Sequence, residues 1–185
     1  MEQGFIRVGA ATPSICVADP AHNRNQIEEL CREAAARQVK VLVFPELCLT
    51  GYTCGDLFLQ ELLLKEAKEQ LQVIADASEG LDALIFVGLP VEKEHKLYNV
   101  AAAVHDGRVL GMIPKRFIPS YAEFYETRHF TPGNRVPEPF RLEDEEIPFG
   151  GNLLFQADSM PELVIGCEIC EDIWVPDSPG LSHAM

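Results

Sequence analysis

Basic residues are scarce in this 185-residue chain: 15 Lys and Arg stand against 29 Asp and Glu, giving a net charge of −14. A phosphate backbone is held mainly by Lys and Arg, so this balance argues against nucleic acid as a partner. No apolar run approaches the roughly 20 residues needed to cross a bilayer, and no membrane partner is expected. The first apolar stretch, Phe5 to Val17, is broken by Arg7 and Pro13 and reads as a strand rather than a cleavable signal. A cytoplasmic location follows as the expectation, with Cys16, Cys31, Cys48, Cys54, Cys167 and Cys170 kept reduced. No glycine-rich phosphate cradle and no internal repeat is visible. Histidine is thin too: of His22, His95, His105, His129 and His183, most fall in loops remote from strand ends, and His129 alone stays open as a catalytic base.

What is present suffices for one buried core, since 47% of the residues are hydrophobic. Ile6 to Ala11 reads as a strand, Asn23 to Arg37 as an amphipathic helix, and Val39 to Phe44 as a strand buried on both faces, stopped by Pro45. Asp56 to Ser78 reads as the longest helix, with Asp56 as its N-cap. Leu84 to Leu89 is another buried strand, and Leu97 to Val104, Asp106-Gly107 and Arg108 to Ile113 form a hairpin pattern. Pro114 to Gly151, with six prolines and the acidic run Glu143 to Glu146, reads as a long irregular segment. A strand from Leu163 to Cys167 then runs toward Cys170. Alternating strands and helices with one hairpin predict an α/β fold with a mixed sheet.

Three reactive groups follow three separate strands. Cys170 precedes Glu171-Asp172, which look like the opening turn of a helix continuing past Trp174. Oriented N–H groups there would ease ionisation of a thiol nucleophile. The alternative is a small buried hydrophobe like Cys31. A thiol acting on an amide needs a base and an oxyanion donor. Glu46, on the carboxyl side of its strand, is the better base candidate, and Lys115 follows the hairpin. Cys167 and Cys170 also form a C-x-x-C, which leaves open a redox pair or half a zinc site, and a catalytically silent interaction module is a further reading.

The residues around these groups carry a resemblance. Phe44-Pro45-Glu46-Leu47, Pro114-Lys115-Arg116 and Glu168-Ile169-Cys170-Glu171-Asp172-Ile173-Trp174 resemble, in order, the three signature blocks of the nitrilase superfamily. Leu49-Thr50-Gly51-Tyr52, Gly55-Asp56-Leu57-Phe58 and Tyr121 to Glu126 are similar to the amino-terminal glutaminase domain of glutamine-dependent NAD synthetases. The resemblance implies a nitrilase-like αββα sandwich in which Cys170 attacks the amide of glutamine, Glu46 moves the protons and Lys115 holds the oxyanion. Glu126 would support Lys115, while Tyr52, Tyr121 and Glu171 would line the substrate pocket. Ammonia would pass to a synthetase domain that amidates nicotinic acid adenine dinucleotide. Another amidase or nitrilase with the same chemistry is the alternative.

Domains of that family continue well past their cysteine. Residues 1–185 are therefore expected to be the N-terminal part of a carbon-nitrogen hydrolase domain, its second sheet incomplete and its pocket not closed. No metal or cofactor is implied here; ATP and Mg belong to the absent synthetase domain. A homo-oligomer is expected.

Overall fold

A computed structural model describes residues 4–185. Among them, seven strands form one mixed sheet in the order β1-β2-β3-β4-β5-β7-β6. β1 (Val8–Ala10), β2 (Val41–Val43) and β3 (Leu84–Lys93) run parallel, linked by helices α1 (Pro20–Ala36) and α2 (Glu61–Ala77). β4 (Lys96–His105) and β5 (Arg108–Pro114) continue the sheet antiparallel. The Asp106-Gly107 turn has positive φ at both residues, as a two-residue hairpin needs. β6 (Glu138–Leu142) and β7 (Glu145–Phe149) form a second hairpin, and β8 (Phe155–Ala157) pairs with β9 (Met160–Ile165) in a separate sheet. A five-residue helix, α3 (Pro179–His183), lies near the end of the chain.

Strand alternation divides the core into two faces. Leu42, Ile85, Val87, Val100, Ala102 and Met112 pack under Ile27 and Cys31 of α1 and Leu71 and Ile74 of α2. Val41, Phe86, Ala103 and Ile113 point the other way and meet Phe155 and Ile165 of the two-stranded sheet. The layers are therefore helix, sheet, sheet, within the α/β class expected. Among the described residues no helix is long and apolar enough to cross a membrane.

Several expectations need correction. α1 and α2 are equally long, at 17 residues each. Asp56 does not cap α2: it lies in a short 3-10 segment, Gly55–Leu59, where its carboxylate takes two hydrogen bonds from Arg128. The segment read as irregular contains the β6–β7 hairpin, with the acidic run at its turn. Pro139 faces Pro148 across that hairpin, and β6 is a sheet edge, where a missing N–H is tolerated. β2 is buried on both faces at Val41 and Leu42, as expected, but opens at Val43, which is 44% exposed. β9 is only half-buried.

Candidate active site

The site is built where β2, β4 and β5 present side chains to the face opposite the helices. Pro45 ends the β2 run, and the chain turns through Leu47, whose φ of 52° is left-handed and uncommon for a bulky residue. This turn packs against Gly88 of β3. A Cβ at Gly88 would come within 2.4 Å of the Leu47 nitrogen and 2.7 Å of the Pro45 oxygen. Gly88 also accepts the Leu49 N–H at 3.0 Å, which fixes the segment carrying Glu46.

Lys115, just past β5, is fully buried. Its Nζ donates to Glu46 Oε1 at 2.7 Å and to Glu126 Oε1 and Oε2 at 2.7 and 2.9 Å. Burial pulls the lysine pKa down, but the adjacent carboxylates more than offset this and hold it above the ordinary 10.5. Lys115 is therefore a charged ammonium. Glu126 opens a 3-10 turn, Glu126–Arg128, whose Arg128 is anchored by Asp56; the Asp56 carboxyl is held well below the usual range by that arginine and by His129. His129 is engaged in this anchor, with a ring nitrogen 3.1 Å from Asp56. The Tyr52 hydroxyl donates to Glu126 Oε1 at 2.8 Å, and burial together with this bond raises the phenol pKa.

Cys170 faces this cluster. Its φ of 47° is left-handed, a strained conformation of the kind held at functional turns. The helix expected past Trp174 is instead a 3-10 turn, Cys170–Ile173. The expected ease of ionisation is also reversed: burial and the charges of Glu46 and Glu126 push the thiol above its ordinary 9.0, while Lys115 pulls it down in part. The thiol and Glu46 line the same small cavity, close enough for the carboxylate charge to act on the sulfur. Cys170 as a residue is exposed while its thiol is partly desolvated, so the cluster is dry at Lys115 and Glu126 and borders solvent at Cys170. Burial pushes Cys31, Cys48 and Cys167 up to about 12, which leaves them unreactive.

Glu171 and Tyr121 meet at the mouth, where the tyrosine hydroxyl donates to Glu171 Oε2 at 2.7 Å and that bond raises its pKa. A cavity of about 100 Å³ beside Cys170 is lined by Glu46, Gly88, Asn99 and Ile169. A larger one, about 470 Å³, opens near Lys40, Asp82 and His105 and contains none of these groups. Among the described residues no three His, Cys, Asp or Glu side chains gather as a metal ion needs.

All seven residues singled out in the sequence thus fall in one region. Two others were missed. Asn99, on β4, donates from Nδ2 to Glu46 Oε1 at 2.5 Å and to Glu126 Oε2 at 3.4 Å. Asp172, 2% exposed, accepts backbone N–H groups from Arg116, Phe117 and Ile169 at 3.1, 2.8 and 3.1 Å. Burial raises its pKa, and those three donors oppose the rise. Asn99 was marked by being a lone amide in the apolar run of β4; Asp172 carried no comparable signal.

Comparison with known proteins bears on the family and the fold. Residues 7–181 match the model of the carbon-nitrogen hydrolase family. The glutamine-dependent NAD(+) synthetase of Mycobacterium leprae is 40% identical over 183 residues, which is 99% of this chain and 27% of that protein. The chain thus spans about a quarter of the length of such relatives. A crystal structure of a glutamine-dependent NAD(+) synthetase from Cytophaga hutchinsonii superposes with a TM-score of 0.83 at 35% identity, covering 90% of this chain and 28% of that one. An amidase from Nesterenkonia shares the fold, with a TM-score of 0.60 at 21% identity over 80% of this chain and 56% of that one. The helix–sheet–sheet order corresponds to the first three layers of the nitrilase-like sandwich.

Proposed function

The chain belongs to the carbon-nitrogen hydrolase family, and we propose that it is a glutamine amidohydrolase unit using Cys170, Glu46 and Lys115. The single observation carrying this reading is the buried Lys115 ammonium, clamped by Glu46 and Glu126 and facing the Cys170 thiol.

A thiol held above its ordinary pKa is protonated at neutral pH and needs a base during attack. In the proposed reaction the Cys170 sulfur adds to the amide carbon while its proton moves to Glu46. The carbonyl oxygen becomes an oxyanion facing Lys115 Nζ and the backbone N–H of Glu171. Collapse breaks the carbon–nitrogen bond, and Glu46 returns the proton to the departing ammonia. Water then adds to the glutamyl thioester, giving its proton to Glu46 and releasing glutamate and free thiol. Tyr52, Tyr121 and Glu171 bound the substrate, with the Glu171 carboxylate suited to an α-ammonium group. Glu126 keeps Lys115 charged and aimed. In a longer protein the ammonia would serve amidation of nicotinic acid adenine dinucleotide, a reading supported by the names of the relatives.

Ammonia release from glutamine, asparagine and simple aliphatic amides tests the proposal. Glutamine should be preferred, and Cys170→Ala and Glu46→Gln should abolish release. Turnover retained in either variant would remove that residue from the mechanism.

A further inference from the structure

We infer that Asn99 is a positioning residue, holding Glu46 and Glu126 against Lys115 so that the second oxygen of Glu46 is left for the Cys170 proton. The inference rests on the catalytic reading above and deepens it. Nothing in the three signature blocks includes Asn99; its place comes from the sheet. The backbone carbonyl of Asn99 accepts the Lys115 N–H at 2.8 Å, so the two residues are neighbours across β4 and the end of β5. Alternation puts Asn99 on the face of Ala101 and Ala103, opposite the helices, where a buried polar side chain needs a purpose.

Its amide is used asymmetrically. Nδ2 donates to both carboxylates, whereas Oδ1 is buried without a hydrogen-bond partner. Turning the amide over would satisfy neither end, because Oδ1 would then confront two anionic oxygens. The orphaned carbonyl is the cost of aiming the donors at Glu46 and Glu126. Glu46 Oε1 consequently holds two donors, Lys115 Nζ at 2.7 Å and Asn99 Nδ2 at 2.5 Å, while Oε2 has no hydrogen bond from another residue among those described. One oxygen is anchored and the other is available to the thiol. A carboxylate held at one oxygen cannot rotate that function away, and misplacement of a base by about 1 Å can cost 10²-fold in rate.

The test compares native chain, Asn99→Ala and the isosteric Asn99→Asp by two readouts. The first is the pH profile of Cys170 alkylation by iodoacetamide, followed by peptide mass spectrometry. The groups facing the sulfur are Glu46, Glu126, Lys115, Tyr52 and Tyr121. With the Asn99 donor gone the two carboxylates act on the thiol less screened, so the alkylation midpoint should rise by about half a pH unit in Asn99→Ala, and further in Asn99→Asp. The second is glutamine hydrolysis, where kcat should fall about 10²-fold in Asn99→Ala with KM nearly unchanged, and the acid limb of the rate profile should move to higher pH. If no amide is hydrolysed and no glutamine-like electrophile labels Cys170, the catalytic reading fails, and the alkylation profile alone decides the role of Asn99. Unmoved profiles in Asn99→Ala would overturn the inference, whether kcat is retained or falls only with the folded fraction.

Discussion

Asp172 Oδ1 accepts the backbone N–H of Phe117 at 2.8 Å, across 55 positions in sequence. The same carboxylate holds the N–H groups of Arg116 and Ile169, so one side chain ties the residues after Lys115 to the residue before Cys170. Replacing Asp172 with Ala strands buried backbone donors, each worth about 1–3 kcal/mol when unpaired. A net loss of about 2–4 kcal/mol is expected in urea unfolding, with some donors recovering water. Asp172→Asn should lose less, since its carbonyl can still serve Phe117.

Gly88 allows the Glu46 turn to lie directly on β3. In Gly88→Ala the new methyl meets backbone atoms of Pro45 and Leu47 rather than a side chain that could move aside. Amide hydrolysis should fall about 10²-fold through displacement of Glu46. The seven-stranded sheet should persist, as judged by circular dichroism, because the clash is confined to one turn.

Lys115→Met leaves two carboxylates facing each other without their cation. Breaking such a buried pair costs about 3–5 kcal/mol. Unfolding at pH 7 should show a loss of that size, shrinking as the pH falls into the carboxylate range and protonation relieves the repulsion. In the native chain the folded lysine pKa exceeds the ordinary 10.5, so while the carboxylates stay ionised the lysine's contribution is complete below 10.5 and declines as pH rises through the higher folded value. Stability at pH 7 retained in Lys115→Met would contradict the ion-pair account.

The Cys170 thiol titrates above 9.0 because of burial first and the charge of Glu46 second. Glu46→Gln removes the charge and should lower the alkylation midpoint by about one unit. Lys115→Met removes the opposing charge and should raise it. Opposite signs in the two variants are the check, and movement in the same direction would refute the arrangement.

Much of this was legible in the sequence because it depends on local order. β-branched runs mark β2 and β3, and Asp106-Gly107 marks the β4–β5 turn. The blocks around Glu46, Lys115 and Cys170 announce themselves as strand ends followed by reactive side chains. The β6–β7 hairpin was hidden because its prolines masked a period-2 pattern in which Phe140, Leu142, Ile147 and Phe149 are buried. The direction of the Cys170 shift was misread because a helix start was inferred from Glu171-Asp172, whereas the turn is short and two carboxylates from distant segments decide the field. Asn99 and Asp172 escaped because their roles are set by cross-strand and cross-loop contacts, which no spacing along the chain reveals.

The central claim, that Cys170 is the nucleophile for a glutamine amide, is tested most directly by covalent labelling. The chain is treated with a glutamine analogue bearing an electrophilic carbon in place of the amide, and all six cysteines are read by peptide mass spectrometry. Modification confined to Cys170 and slowed by added L-glutamine is predicted. Label on exposed Cys16 as readily as on Cys170, with no protection by glutamine, would contradict the account.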